Sequence, residues 1–189
     1  MARGKRTMEG GVMGSTAGKY AALSVGLLVM LSAVVIGGQQ IGEEAQVSPA
    51  PAANYVPHAP IRINSNAEFA SKAASEGWSG DGTTNNPYII ENYEISAVAS
   101  DGIYIWNTNV YFIIRNSLIK DGSDLYTGIL LRNASHGTID NCTSFNNDIG
   151  IFLYTHCDYC TLTNNNASNN HMNGIYLWDC NNSIITNNI

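Results

Sequence analysis

Five times in this chain an apolar residue is followed two places later by asparagine: Ile90/Asn92, Ile114/Asn116, Ile139/Asn141, Leu162/Asn164 and Ile185/Asn187. The asparagines stand 24, 25, 23 and 23 residues apart, a period at which each repeat makes one turn of a solenoid. Gly102, Gly128, Gly150 and Gly174 open stretches in the same phase, reading GIYIW, GILLR, GIFLY and GIYLW. Behind each glycine the apolar residues alternate, as Ile103/Ile105, Ile129/Leu131, Ile151/Leu153 and Ile175/Leu177, which is the period of a strand and not of a helix. A repeat of about 24 residues at roughly 3.3 Å each has a perimeter of at most about 80 Å, enough for three short strands and their turns around a narrow core. Each strand then pairs in parallel with its copy one coil away, about 4.8 Å along the axis. An asparagine-rich tract such as TLTNNNASNNHMNG would otherwise read as loop or low complexity, because asparagine is a poor former of helix and strand alike. Disorder, however, has no use for phased isoleucines.

Stacked coils put equivalent residues into columns. Asn92, Asn116, Asn141, Asn164 and Asn187 are expected to face inward at a bend and pass amide hydrogen bonds from coil to coil, as a structural ladder. Asn146 and Asn169, with Asp121 in the same column, start a second ladder at another corner. If Ile103 and Ile105 point inward, Tyr104 and Trp106 point outward, and the next coils place Leu130/Arg132, Phe152/Tyr154 and Tyr176/Trp178 in the same two columns. The result is an exposed aromatic ribbon along one sheet. Sugar rings stack on such faces, and Tyr and Trp add a polar handle. Tyr104, Trp106, Arg132, Phe152, Tyr154, Tyr176 and Trp178 are therefore the candidate glycan-binding residues. The competing reading of so large a patch is that a second copy or another part of the protein covers it. An inverted register would bury the aromatics but force Arg132 inward.

The phased G-I-x-[IL] and [IL]-x-N pattern resembles the right-handed parallel β-helix repeats of the carbohydrate-binding and sugar-hydrolase type, including the NosD-like periplasmic proteins and many large prokaryotic surface proteins. The resemblance covers residues 61–189. It implies an all-β, right-handed, single-stranded parallel β-helix of about five coils. Its motifs specify function weakly, since the fold hosts lyases, hydrolases, binding proteins and passive stalks. The segment IRINSNAEFASKAASEGWSGDGTTNNPYIIENYEI resembles the N-terminal cap of such helices. Ser65 and Glu68 form a capping box for a short helix ending near Gly77, placed to cover the first coil. The domain organisation is then a signal peptide or membrane anchor (1–38), a flexible Pro/Ala-rich linker (39–60), the cap (61–88) and the repeats (89–189). The chain stops inside a coil at Ile189, which leads to the expectation of a fragment with further coils beyond.

Residues 1–19 carry Arg3, Lys5, Arg6 and Lys19 against Glu9, and the 17 residues from Tyr20 to Ile36 carry no charge. A basic flank before an apolar run keeps the N-terminus in the cytoplasm and sends the downstream chain outward, behind a cleaved signal or a single-pass anchor. The expected location is extracellular, cell-surface or periplasmic. Beyond residue 38 there are five basic and fourteen acidic side chains, a net charge of −9. That argues against nucleic acid and anionic lipid as partners. The expected partners are a polysaccharide or cell-envelope component, a further β-helix coil or second copy at the C-terminal end, and the membrane if the N-terminal segment is retained.

Four cysteines, Cys142, Cys157, Cys160 and Cys180, lie in the exported part. Cys157 and Cys180 each stand five places before a phased apolar residue, so they share a column one coil apart, within disulfide reach. Buried free thiols are the other reading. A soft-metal site would need a partner for the single CxxC, and none is present; no metal or cofactor is expected. The NosD-like resemblance would imply copper handling, but His136, His156 and His171 occupy different columns. Sugar cleavage needs two carboxylates about 5 to 9.5 Å apart, and no acidic column is found: Asp140 stacks with Arg115 and Thr163, and Asp179 with His156. Enzymatic activity is thus not assigned, with a lyase or hydrolase completed by further coils as the alternative. Sequons at Asn133, Asn166 and Asn181 are open to glycosylation, whereas that at Asn141 falls in the expected inward ladder.

Overall fold

The computed structural model describes residues 54–189. The expected signal or anchor segment lies outside the described residues. No helix among those described is long and apolar enough to cross a membrane.

The elements run β1 (Val56–His58), β2 (Ile61–Ile63), α1 (Asn66–Glu76), β3 (Tyr88–Glu91), β4 (Tyr93–Ser96), β5 (Ile103–Thr108), β6 (Phe112–Arg115), β7 (Leu118–Lys120), β8 (Ile129–Ala134), β9 (Gly137–Asp140), β10 (Thr143–Phe145), β11 (Ile149–Tyr154), β12 (Thr161–Thr163), β13 (Asn173–Trp178) and β14 (Ile184–Thr186). They form three parallel sheets. One has the order β1-β4-β7-β10, a broad second one β13-β11-β8-β5-β2, and a third β14-β12-β9-β6-β3. The chain visits the three faces in turn, so no strand pairs with its sequence neighbour; from β3 onward partners stand about one repeat away, while β1 and β2 reach β4 and β5 across the helix-bearing cap. This is an all-β parallel solenoid of about four turns with one N-terminal helix. The expectation of about five coils is corrected: β13 and β14 add strands to their sheets without completing a lap, because the first face ends at β10 with only an isolated bridge from Thr143 to Asn166 beyond it. The linker boundary moves as well. β1 falls within residues expected as linker, yet Val56 and His58 pair in register with Tyr93 and Ile95.

The register obeys the phased pattern. Ile61, Ile103, Ile129, Ile151 and Ile175 form one column, and Ile63, Ile105, Leu131, Leu153 and Leu177 another. On the third face Ile90, Ile114, Ile139, Leu162 and Ile185 stack. Most of these side chains are fully buried, each worth roughly 1.5–3 kcal/mol of transfer free energy. Helix α1 closes the N-terminal end. Ser65 Oγ accepts from the Glu68 N–H at 3.1 Å, Glu68 Oε2 accepts from the Asn64 N–H at 2.8 Å, and Gly77 ends the helix at φ +73°. Phe69 drops from this helix into the core and stacks on Tyr88 at 4.9 Å, with Phe112 at 5.3 Å.

The asparagine ladder needs correction. Asn92, Asn116, Asn141, Asn164 and Asn187 do occupy one bend, but each has a positive φ, between 49° and 63°, and they point to the rim rather than into the core. Asparagine is among the few side chains that tolerate this left-handed conformation. One rung forms among them, Asn141 Nδ2 to Asn116 Oδ1 at 2.9 Å, whereas Asn164 Nδ2 turns to Asp140 Oδ1. The inward work falls to the next residue. Asn165, 1% exposed, accepts from the Cys142 N–H and donates to the Ile139 carbonyl, both at 2.9 Å. Asn188 repeats the pattern, accepting from the Asn165 N–H and donating to the Leu162 carbonyl. In earlier coils Ser117 and Cys142 stand in this column, bonding nearby backbone groups. The second corner divides labour the same way. Asp121, Asn146 and Asn169 take positive φ, while the fully buried Asn147 accepts from the Gly122 N–H and its own N–H meets Asn170 Oδ1, both at 3.0 Å. The Asn-Asn doublets are thus a turn residue succeeded by a buried amide.

The glycine column has a steric cause, since none of Gly102, Gly128, Gly150 and Gly174 has a positive φ. A Cβ on Gly128 would stand 2.7 Å from the Gly150 carbonyl oxygen and 2.1 Å from Ser144 Oγ. Gly128→Ala should therefore lower stability by roughly 1–3 kcal/mol, read as a fall in the urea midpoint; an unchanged midpoint would show that the coil yields there. Asn165→Ala should cost about 2–4 kcal/mol by stranding two buried backbone groups, whereas Asn164→Gly, which keeps the turn conformation, should cost less than about 1 kcal/mol. Equal losses in the same denaturation assay would refute this division of labour.

Candidate functional site

The broad sheet carries the longest strands, six residues each in β5, β8, β11 and β13. Alternation sends every second side chain outward, and the register puts Tyr104, Leu130, Phe152 and Tyr176 in one outer column and Trp106, Arg132, Tyr154 and Trp178 in the next. The seven ribbon residues are therefore brought onto one face. Several of them pack against one another. Tyr104 stacks on Trp106 with centroids 4.2 Å apart, Phe152 stacks on Tyr176 at 5.0 Å, close to the coil spacing, and Tyr176 meets Trp178 edge-on at 6.4 Å. Most rings are half-buried by one another, while Tyr154 and Trp178 remain 36% and 56% exposed. The outcome is a low aromatic pavement, interrupted at β8 by Leu130 and Arg132.

Two features of this face escape a reading of the repeats alone. Arg62, in β2, pairs with Tyr104 and so heads the first outer column. Its guanidinium lies 4.9 Å from the centre of the Tyr104 ring and 5.5 Å from that of Trp106, while Arg132 lies 5.5 Å from Tyr154. The signal was available: Ile61 and Ile63 flank Arg62 as Ile103 and Ile105 flank Tyr104, but the segment falls in the expected cap. The second feature is an outer amide ladder along the sheet's edge. Asn133 Nδ2 donates to Asn107 Oδ1 at 3.0 Å, and Asn107 Nδ2 to Asn64 Oδ1 at 2.8 Å. Beside it lie two shallow depressions. One, of about 390 Å³, is lined by Trp106, Asn107, Arg132, Asn133, Thr155 and His156. The other, of about 480 Å³, includes Ser65, Asn66, Asn107, Asn109 and Asn133. Stacked rings bordered by amides offer apolar C–H surface and directional hydrogen bonds together.

Acidic side chains lie elsewhere. Glu91 pairs with Arg115 at 2.7 Å and Glu94 with Lys120 at 2.9 Å, both away from the broad face. Asp140 stands in register between Arg115 and Thr163. His156 Nδ1 and Asp179 Oδ2 are 3.6 Å apart at the sheet edge, with both side chains more than half exposed. His136 is instead held in a corner between Tyr111 and Tyr159, with ring centroids at 4.5 and 5.6 Å. Among the described residues no group of three His, Cys, Asp or Glu side chains converges on a metal position. Of the sequons, Asn133 spends its amide in the outer ladder, Asn181 donates to Asp158 Oδ1, and Asn166 Oδ1 accepts from the Ser168 N–H and hydroxyl; all three are exposed.

All four cysteines are free thiols. Cys180 stands near Cys157, and its thiol donates to the Leu153 and Trp178 carbonyls at 3.5 and 3.3 Å. Burial pushes the thiols of Cys142 and Cys157 up to about 12 and that of Cys160 up to about 11. The thiolate is the nucleophile, so these three should resist a thiol reagent such as Ellman's at pH 8 in the folded protein and react on unfolding. Labelling of all four thiols at the rate of a free cysteine in the native state would contradict that expectation.

A family model described as a right handed beta helix region matches residues 64–189. No curated protein and no solved structure matches the chain.

Proposed function

The chain belongs to the right handed beta helix family, and from that premise we propose that it is a non-catalytic, exported repeat protein whose broad sheet binds glycan or another cell-envelope polymer. The observation that carries this reading is the aromatic pavement: rings pair by stacking within a coil, as Tyr104 on Trp106, and between coils, as Phe152 on Tyr176, with an amide ladder along one edge. A polymer is the matching ligand because the site is extended and repeats with the coil, where a small molecule would want an enclosed cavity. Apolar ring surface left in water, as at Tyr154 and Trp178, costs free energy unless something covers it. The basic flank and apolar run at the N-terminus supply the route outward, with the solenoid displayed beyond the membrane. The exposed Tyr154 and Trp178 support a second reading, coverage by another copy, and the same assay separates the two.

Of the three tryptophans, Trp78 is tied into the cap by its bond to Tyr93 Oη at 2.9 Å, while Trp106 and Trp178 lie on the pavement. Tryptophan fluorescence titrated with neutral and acidic polysaccharides should show saturable quenching. Trp106→Ala and Trp178→Ala should each weaken it roughly tenfold, the loss typical of a central aromatic anchor. A flat response across the panel, or affinity unchanged in both variants, would sink the reading; a concentration-dependent dimer lost in Trp178→Ala would favour coverage by a second copy.

A further inference from the structure

The described residues contain five basic side chains: Arg62, Lys72, Arg115, Lys120 and Arg132. Three are neutralised. Lys72 pairs with Glu76 at 2.9 Å, Arg115 with Glu91 and Lys120 with Glu94. The remaining two, Arg62 and Arg132, have no carboxylate partner and donate no side-chain hydrogen bond among the described residues, and both sit on the aromatic face. Each is stacked over rings of that face. A guanidinium lying over a ring still presents N–H donors, the fork that fits a carboxylate or sulfate. No acidic side chain occupies the outer columns of this sheet.

We infer that the polymer bound on the broad face carries negative charge, as carboxylate or sulfate on its sugars, and that Arg62 and Arg132 receive two of these groups while the rings stack on the sugars between. This deepens the glycan-binding reading and rests on it. Arg62 and Arg132 lie in β2 and β8, two strands apart, so they are separated by about 10 Å along the axis at about 4.8 Å per coil. A chain running along the solenoid with acids at intervals meets both. The net charge of the exported part, −9, does not prevent this. Screening reduces charges beyond about 8 Å at physiological salt, so the acids of other faces contribute little beside two unpaired guanidinium groups at contact. Two cations do not make the long basic stripe that nucleic acid requires. The depression between Trp106 and Arg132, edged by Asn107 and Asn133, puts a cation, a ring and two amides around one position.

The test uses the purified full chain and three polymers: hyaluronan, with a carboxylate on alternate sugars, dextran sulfate, and unmodified dextran. At low salt one or both charged polymers should bind at least tenfold more tightly than dextran, and the preference should shrink as NaCl rises from about 0.05 to about 0.5 M. Arg62→Gln and Arg132→Gln should each reduce affinity for the preferred charged polymer roughly tenfold. Arg62→Lys and Arg132→Lys, which keep the charge but lose the fork, should retain part of it. Lys120→Gln, the same charge change on another face, should leave it intact. Which charged polymer binds distinguishes carboxylate from sulfate. Dextran binding as tightly as the charged polymers would overturn the inference and leave the aromatic reading standing. An equal loss in Lys120→Gln would overturn it in favour of diffuse attraction, and no binding by any polymer would remove both.

Discussion

A coil this narrow must turn a corner every few residues, and at each corner the backbone loses the parallel partner that satisfies it along the strands. An unpaired buried N–H or C=O costs about 1–3 kcal/mol, and a solenoid repeats that cost on every lap. The rest of the structure depends on how the corner is solved here, by two consecutive residues with different tasks. The first takes the left-handed conformation and turns the chain; the second points its side chain inward and bonds the neighbouring coil's backbone, as Asn165 does to Cys142 and Ile139. Because the second residue reaches the coil before it, each corner is finished by its neighbour. Order therefore propagates along the axis.

The same geometry explains why the candidate site concentrates on one face. The first and third faces have strands of three or four residues, too short to present more than one or two outward side chains per coil. The broad face, six residues wide, presents two outer columns with fixed spacing. Phe152 and Tyr176 meet along the axis at about the sheet's own repeat, so aromatics distant in sequence become neighbours once the fold forms, with Leu130 and Arg132 interrupting the line at β8. Arg62 and Arg132 belong to this surface through the same register, and each guanidinium lies over a ring of it.

The cysteines illustrate how position, and not residue type, sets chemistry. Cys142 replaces the buried amide of the corner column and acts as a weak hydrogen-bond donor to Ile114 and Asp140 carbonyls. Cys157 and Cys160 are walled into the core. In each case desolvation favours the neutral thiol and suppresses reactivity.

Period, strand type, inward columns and the aromatic columns were all legible in the sequence, because a two-residue alternation repeated every 23 to 25 residues leaves a single register that buries most of the phased isoleucines. The helix over the first coil was legible too, from Ser65, Glu68 and Gly77. What tertiary structure alone decided were matters of direction within a doublet and of meeting across coils. Composition cannot say which of Asn164 and Asn165 turns inward; the sign of φ at the first forces the second to the core side. Nor could the repeats reveal Arg62, whose strand lies 42 residues before its partner and enters the sheet only because the cap folds beneath the first lap. The sequence by itself determined the solenoid, since burying phased isoleucines admits little else. The site was decided by stacking, which places residues from separate coils within reach of one ligand.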